Sequence, residues 1–278
     1  MSKREFKADL LYLAPVALTL VATCVFTLLV MMAQAEVVSI TLFPEEAAGP
    51  LMNATIFIAM MAIVSVAIYM IVRHRLWHVL NLTFRVAVAF VALTLAIFYE
   101  QLFTMVVGGD PNEAALLIYA SAVVLTATAT YGIFKWRGVK QVLVTLLLGG
   151  ALGAFLGVSI PTTSALVLLT LLSLYDVIAV YLGPVGRIAS EAGPERLKGI
   201  SFTFKEVHIG LGDLVFYSML TSHMLLVYGF RAWFASSLGI LTGVYLVLKA
   251  LEKRRMFPGL PIALAFGLTA GFTAFHVL

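Results

Sequence analysis

Two aspartates lie inside apolar stretches of this sequence, and they are the residues best placed to do chemistry. Asp213 is the fifth residue of the apolar run 209–230, and Asp176 lies deep in the run 162–183. Each run has the length of about 20 residues that spans a bilayer. Because an ionised carboxylate inside a membrane costs several kcal/mol, an intramembrane aspartate is a functional residue by default. Two of them suggest a pair, which can act as general acid and base, relay protons or bind a cation.

The composition places the whole chain in a membrane. Of its 278 residues, 62% are apolar and 12% are charged, which excludes a soluble globular domain. The net charge of +4 comes from basic residues in short loops, so we expect no nucleic-acid partner. The single cysteine, Cys24, lies in an apolar run and cannot form an internal disulfide, which leaves packing as its expected role.

The apolar runs predict an all-α membrane protein with nine transmembrane helices. No repeat of fixed length and no low-complexity linker divides the chain, which favours a single domain over 1–278. Within it, we expect scaffold helices one to five over about 1–160 and helices six to nine, which carry the aspartates, over about 161–278. The nine runs are 10–33, 51–72, 79–106, 114–134, 141–160, 162–183, 209–230, 232–250 and 258–278.

A cleavable signal peptide is the alternative for the first run. Lys3 and Arg4 precede it, and Ala33-Gln34-Ala35 after it has the form of a cleavage site. The apolar core of this run exceeds twenty residues, against about 7–15 in a typical signal. We therefore interpret 10–33 as the first membrane helix.

Basic residues set the predicted orientation, because loops rich in Lys and Arg stay cytoplasmic. Along the chain, loops rich in Lys and Arg alternate with loops that hold almost no basic residues. Arg231 is the only basic residue in the second set. We therefore predict a cytoplasmic N-terminus and an external C-terminus. The basic residues on the predicted cytoplasmic side are Lys3, Arg4, Lys7, Arg73, Arg75, Arg85, Lys135, Arg137, Lys140, Arg187, Arg196, Lys198, Lys205, Lys249, Lys253, Arg254 and Arg255.

This orientation places the two aspartates at similar depth. The sixth helix descends towards Gly183, so Asp176 lies seven residues above its cytoplasmic end. The seventh rises from about His208, so Asp213 lies five residues above its start. At 1.5 Å of rise per residue both carboxylates lie about 7–11 Å inside the cytoplasmic boundary. Two neighbouring antiparallel helices thus predict a carboxylate pair near one membrane face.

Three motifs at this face occur in a known order. They read Tyr175-Asp176, then Gly210-Leu211-Gly212-Asp213, then Pro258-Gly259-Leu260-Pro261. In these motifs the sequence resembles the presenilin and signal peptide peptidase family of intramembrane aspartyl proteases, the GxGD type. The cytoplasmic N-terminus is similar to that of presenilins, since signal peptide peptidases have the inverted orientation.

The resemblance implies that Asp176 and Asp213 form the catalytic dyad of an aspartic endopeptidase. Two carboxylates would flank one water, with one acting as general base and the other as general acid. The resemblance implies single-span membrane proteins as substrates, cleaved within their transmembrane helices in the cytoplasmic third of the bilayer. Residues 1–278 would then form one intramembrane protease domain, in the cell membrane of a microbe.

Other residues near the motifs are candidates for binding substrate or shaping the site. Gly210 and Gly212 allow close approach of a backbone, either a substrate or a packed helix. Tyr175 either hydrogen-bonds near the pair or is an interfacial aromatic, and Pro258 and Pro261 favour an extended segment before the last helix. The full candidate set is Tyr175, Gly210, Leu211, Gly212, Pro258, Gly259, Leu260, Pro261, Phe202 and Phe204.

Two departures from the family pattern are visible. Gly259 stands where the family has alanine, which bears on how rigidly this segment is held. The loop at about 184–208 lacks the long insert that eukaryotic presenilins cleave during maturation. The chain is therefore most similar to a compact microbial presenilin homologue.

A strand pattern precedes the seventh helix. In residues 200–205 apolar and polar side chains alternate with a period of two, and Phe202 and Phe204 share one face. A single short strand would leave an unpaired edge, to which an unwound substrate can add as a second strand. The alternative is an amphipathic loop on the lipid headgroups.

Two other function classes fit a membrane aspartate pair. A proton- or cation-coupled transporter would use Asp176 and Asp213 as its relay, although transporters often contain internal repeats. A non-catalytic membrane chaperone would tolerate neutral residues at both positions. His74 and His78 have helical spacing but no nearby acid, so we predict no metal site and no cofactor. The sequence does not indicate an oligomeric state.

Overall fold

The computed structural model describes residues 8–181, 201–204, 207–252 and 257–277, and for residues 201–204, 207–209 and 277 it describes the backbone alone. Helices make up most of the described chain. After the 3₁₀ helix Leu10–Leu13 come α1 Ala14–Ala33, α2 Gly49–Arg73, α3 Trp77–Val106, α4 Ala115–Lys135, α5 Val139–Ser159, α6 Thr162–Tyr181, β1 Ser201–Phe204, β2 Val207–Gly210, α7 Leu211–Leu251 and α8 Leu260–Val277.

Seven of these helices, the first of them extended back to Leu10, are long and apolar enough to cross a membrane. The last, α8, is apolar but shorter. The chain is therefore an integral multi-pass membrane protein, as its composition predicted. Each of the first six predicted runs contains one helix, but the seventh and eighth runs both lie in α7.

A backbone break divides α7, which has 41 residues, about twice the length that spans a bilayer. Gly229 has φ 83° and ψ −177°, a conformation that glycine adopts without the penalty of a Cβ. Leu220 precedes this break and Ile240 follows it. A Cβ at Gly267 of α8 would nevertheless lie close to both, 3.0 Å from Leu220 Cδ2 and 2.6 Å from Ile240 Cγ1. Both halves of α7 therefore contact α8.

A second contact shows that the chain reverses at the break. A Cβ at Gly271 of α8 would lie 3.0 Å from Met224 Sδ and 3.2 Å from Ser236 Cβ. Position 224 precedes the break and position 236 follows it by a similar distance along the chain. The two halves of α7 therefore run antiparallel, side by side against α8.

Small residues bring α5 against the first half of α7. Gly149, Gly153 and Gly157 recur every four residues and lie on one face of α5. A Cβ at Gly153 would lie 2.6 Å from the carbonyl oxygen of Val215, and one at Gly157 would lie 2.7 Å from that of Met219. Such close backbone approach is typical of packing between membrane helices, and it fixes the helix that carries Asp213.

A row of hydroxyls on α1 completes this core. Thr19, Thr23 and Thr27 are fully buried, and each donates to the carbonyl oxygen four residues earlier. Thr27 also hydrogen-bonds Ser222 of α7 at 2.8 Å. Because buried hydroxyls need partners, these bonds specify how α1 packs on α7.

The predicted strand region forms a hairpin. In β1 and β2 the register pairs Ser201 with Gly210 and Phe204 with Val207, antiparallel. The strand is thus not single, because β2 occupies one of its edges. It also follows that the seventh helix begins at Leu211 rather than at 209, so that Asp213 is its third residue and not its fifth.

The predicted outer end of α6 is held by a carboxylate from the preceding loop. Glu45 accepts hydrogen bonds from the backbone N–H of Ser164 at 2.7 Å and of Thr163 at 3.1 Å. Asn53 of α2 also donates to Ser164 Oγ at 3.1 Å. An acid here satisfies N–H groups that have no partner within the helix and complements the helix dipole. Glu45 therefore helps to position the helix that carries Asp176.

We expect Glu45→Gln to lower stability mainly at neutral pH. Burial alone would raise the pKa of the Glu45 carboxyl, but the hydrogen bonds from Ser164 and Thr163 outweigh it and lower this pKa below its ordinary value of 4.5. A lowered pKa contributes stability above the unfolded value, which is lost as the pH falls through the folded value. The variant should lose about 1 kcal/mol at pH 7, with a difference that shrinks in acid.

Thermal unfolding in detergent micelles between pH 7 and pH 3 measures this effect. Glu46→Gln is the matched control, because the Glu46 side chain forms no hydrogen bond within the described residues. Equal melting curves for the two variants at pH 7 would contradict the role given to Glu45.

Candidate active site

Asp176 lies on α6 and reaches the beginning of α8. Its Oδ2 accepts a hydrogen bond from the backbone N–H of Leu260 at 3.1 Å, and the N–H of Gly259 also interacts with it. Leu260 is the first residue of α8, and the first N–H groups of a helix have no partner within the helix. The start of α8 thus positions this carboxylate, since helix N-termini favour anions.

Asp213 lies in the first turn of α7, directly after β2. A Cβ at Gly259 would lie 3.4 Å from its Oδ2, and one at Gly210 would lie 3.5 Å from the same oxygen. The glycines leave this carboxylate flanked by backbone instead of side chains. The two aspartates therefore meet at the peptide segment of Gly259 and Leu260, one contacting each residue.

The two carboxyl groups lie at the same short segment. Asp176 and Asp213 are both partly buried. Close carboxylates cannot both ionise easily, which favours sharing of one proton. Among the described residues, no group of three or more His, Cys, Asp and Glu could hold a metal ion. Proton transfer is the chemistry that this pair can perform.

Tyr217 is a site residue to which the sequence analysis gave no role. Its side chain is 4% exposed, and its hydroxyl donates to the carbonyl oxygen of Gly259 at 3.1 Å. It lies four residues after Asp213, on the same face of α7. This spacing places Tyr217 on the same helix face as Asp213, but it does not indicate Gly259 as its partner.

If the pair catalyses peptide hydrolysis, as the resemblance implies, Tyr217→Phe should slow cleavage about tenfold. The variant keeps the ring but leaves the buried carbonyl of Gly259 without its donor, which costs about 1–3 kcal/mol. The segment that contacts both aspartates would then be held less firmly. Turnover of a transmembrane substrate and the melting temperature should be measured together, because a positioning role lowers kcat more than it raises KM.

Tyr228→Phe is the matched control for this variant. Tyr228 lies on the same half of α7 and packs against Phe272 and Phe275 of α8. It should retain normal turnover. Equal losses of kcat in the two variants would show that the Tyr217 hydroxyl has no specific role.

The segment before α8 lies where the third motif predicted. Pro258 and Leu260 are buried and Pro261 is partly buried. Helix α8 begins at Leu260, with Pro261 at its second position, where a proline removes no helical hydrogen bond. The prolines thus define where α8 begins, next to Asp176.

The other predicted site residues are distributed differently. Leu211 packs against α5, since a Cβ at Gly149 would lie 3.0 Å from Leu211 Cδ1. Tyr175 is partly buried and forms no hydrogen bond within the described residues. Phe202 and Phe204 belong to β1, but their side chains lie outside the described part.

Gly212 is exposed, and no described atom would lie within 4 Å of a Cβ at this position. Among the described residues, therefore, no helix packs against Gly212.

Comparison with known proteins identifies the same region. The Presenilin family model matches residues 187–278, which include Asp213 and the segment before α8. Presenilin-B from Dictyostelium discoideum is 32% identical over 120 residues, which cover 39% of this chain and 25% of that protein. The chain thus spans about a quarter of the curated relative that it matches.

The fold extends the similarity to the rest of the chain. Two solved structures of presenilin family intramembrane aspartate proteases superpose with TM-scores of 0.66 and 0.61 at 18% and 19% identity. The first match covers 96% of this chain and 99% of the other, and the second covers 95% and 97%. Over residues 187–278 the chain is thus similar in sequence to the presenilin family, and over nearly all its length it shares the fold of these two structures.

Proposed function

We propose that this chain is an intramembrane aspartyl protease of the GxGD type, which hydrolyses peptide bonds within transmembrane helices of single-span membrane proteins. The observation that carries the proposal is the meeting of Asp176 and Asp213 at the segment of Gly259 and Leu260. We place the substrate beside Gly212, where no described atom would contact a Cβ. The family and the fold support the same function.

The pair acts on one water between the carboxylates. The ionised member removes a proton from the water, which attacks the scissile carbonyl carbon. The protonated member donates to the carbonyl oxygen and stabilises the charge that develops there. Because coupled carboxylates titrate together, either aspartate can hold the shared proton. Collapse of the tetrahedral intermediate breaks the C–N bond and returns a proton to the leaving amine.

The proposed topology has nine membrane spans in one protease domain over 1–278. The reversal at Gly229 supports it, because each half of α7 then forms one span. The basic loops favour a cytoplasmic N-terminus and an external C-terminus. Substrates would be helices with their N-termini outside, cut in the cytoplasmic third of the bilayer, in the cell membrane of a microbe.

Hairpin β1–β2 would hold the unwound substrate. A helical substrate hides its scissile carbonyl in its own hydrogen bonds, so cleavage requires an extended form. Strand β2 ends at Gly210, three residues before Asp213, and β1 pairs with it through one edge. The other edge of β1 pairs with no third strand among the described residues. Strand addition there would lead the substrate towards the pair.

We expect proline in β1 to depress cleavage more than alanine does. N–H groups alternate between the two edges of a strand, so Phe202→Pro and Thr203→Pro each remove a donor from a different edge. The variant whose lost N–H points away from β2 should cleave about tenfold more slowly or worse, with little change in melting temperature. The variant whose lost N–H points towards β2 should also have a lower melting temperature, because it disrupts the pairing with β2.

The alanine variants Phe202→Ala and Thr203→Ala control for the lost side chains. All four proteins are assayed on one substrate, with thermal unfolding measured alongside. If neither proline depresses cleavage beyond its alanine control, strand addition is wrong and the hairpin only covers the membrane surface.

An assay in proteoliposomes tests the proposed function against the alternatives. Purified protein is reconstituted with single-span substrates, and peptide cleavage and ion flux are measured in the same vesicles. The proposal expects cleavage without flux. Flux of protons or cations without cleavage would establish a transporter, and neither activity would favour a non-catalytic role.

A further inference from the structure

A groove outside the candidate active site lies between α3 and α4. Its volume is about 540 Å³, and most of its wall is apolar, including Ala89 and Leu93 from α3 and Val123 and Ala127 from α4. Val123 and Ala127 are exposed at the surface of the helix bundle. In a membrane this surface contacts lipid tails, so the groove can hold an acyl chain.

Two cations line the same groove. Arg85 of α3 and Lys135, the last residue of α4, both contribute to its wall and both are exposed. The guanidinium of Arg85 lies 5.5 Å from the centre of the Phe134 ring, which holds it over the groove. No Asp or Glu lines the groove, and within the described residues neither cation forms an ion pair.

The position of Arg85 favours an anionic partner. It is the ninth residue of α3, about 12 Å from the start of the helix at 1.5 Å per residue. An arginine at this depth that faces lipid is costly, unless it reaches an anion near the headgroups. A phosphate would accept from its guanidinium and from Lys135 together.

We propose that the groove between α3 and α4 binds one anionic phospholipid. Its phosphate lies between Arg85 and Lys135, and an acyl chain follows Ala89 and Ala127 along the helices. Tyr131, which also lines the groove, is amphipathic and suits the headgroup level. Charge complementarity selects an anionic lipid, because the ammonium of a zwitterionic headgroup would face two cations.

Native mass spectrometry of the full chain in nonionic detergent tests the proposal. Phosphatidylglycerol and phosphatidylcholine with identical acyl chains are added, and bound lipid per chain is measured. A basic residue at an anionic membrane surface contributes about fivefold to affinity. We expect one tightly bound phosphatidylglycerol, with about 30-fold preference over phosphatidylcholine, and loss of this preference in Arg85→Gln/Lys135→Gln.

Three further variants separate the groove from general surface charge. Arg73→Gln/Lys140→Gln removes two exposed cations that do not line the groove, and it should keep the bound lipid. Arg85→Lys/Lys135→Arg should keep it as well, which excludes a folding defect at these positions. Ala127→Phe fills the apolar wall without changing charge, and it should lower phosphatidylglycerol binding at least tenfold.

Each remaining outcome would overturn the proposal. Equal loss in the two glutamine pairs would show that lipid is held by surface charge alone. Unchanged binding in Ala127→Phe would show that the groove holds no acyl chain. A lipid-free dimer that Ala127→Phe dissociates would show that a second copy of the chain occupies the groove.

Discussion

Asp176→Asn and Asp213→Asn should each reduce cleavage at least about 10³-fold while leaving the protein folded. A general acid or base contributes about 10²–10⁴-fold, and each substitution leaves one carboxylate without the partner that shares its proton. Effects of residues that act as a unit are far from additive, so the double variant should be no slower than either single variant. Turnover by purified proteins on one substrate measures this.

Stability separates loss of chemistry from loss of structure. Asparagine has nearly the same shape as aspartate and can still hydrogen-bond the remaining carboxyl group, so neither melting temperature should fall by more than a few degrees. Asp110→Asn, in an exposed loop, is the control for losing a carboxylate elsewhere and should cleave normally. Appreciable turnover by either folded single variant would remove Asp176 and Asp213 from the catalytic role.

Gly153→Ala and Gly212→Ala should change stability in opposite directions. A Cβ at Gly153 would clash with Ser218 and lie 2.6 Å from the carbonyl oxygen of Val215. Overpacking of this kind costs about 1–3 kcal/mol, which lowers the melting temperature by about 4 °C or more for a chain of this size. A Cβ at Gly212 would lie within 4 Å of no described atom, and alanine stabilises a helix by up to about 1 kcal/mol relative to glycine.

Activity should separate from stability in this pair of variants. Gly212→Ala adds a Cβ where we place the substrate, so we expect slower cleavage by a protein that is as stable as wild type or more so. Gly153→Ala should lower activity together with stability, since it shifts the helix that carries Asp213. Faster or unchanged cleavage by Gly212→Ala would show that the substrate does not pass beside this residue.

The sequence predicted the parts of this protein that rest on chemistry and on composition. A membrane class followed from apolar content, and the family resemblance that the motifs indicated is confirmed. Asp176 and Asp213 could be brought together because their depths depend only on helix length and orientation. That they are catalytic stays a prediction, as does the number of nine spans.

Features that depend on which elements touch could not be predicted. Residues 209 and 210 were assigned to the seventh helix because they belong to its apolar run, whereas the pairing of 207–210 with β1 makes them part of a strand. Gly229 breaks α7, but a glycine within an apolar run can equally serve helix packing. The glycine face of α5 has the spacing of a packing surface, yet no spacing names α7 as its partner.

Tyr217 shows the same limit at the level of a single residue. Its position four residues after Asp213 placed it on the right helix face, but its acceptor is the carbonyl of Gly259, 42 residues away in sequence. Only the packing of α7 against α8 makes this bond possible. Residues that act through such long-range backbone contacts leave no local pattern to read.

Binding of a transition-state analogue is the most direct measurement of the central claim, that Asp176 and Asp213 together hold the reacting carbonyl. Mass spectrometry of the products first locates the cut, and the scissile amide is then replaced by a hydroxyl-bearing tetrahedral carbon. Such analogues bind at least about 10²-fold more tightly than substrates. We expect wild type to bind the analogue with this affinity. Asp176→Asn and Asp213→Asn should both lose the tight binding of the analogue and still bind the unmodified substrate. Tight binding that persists in either variant would contradict it.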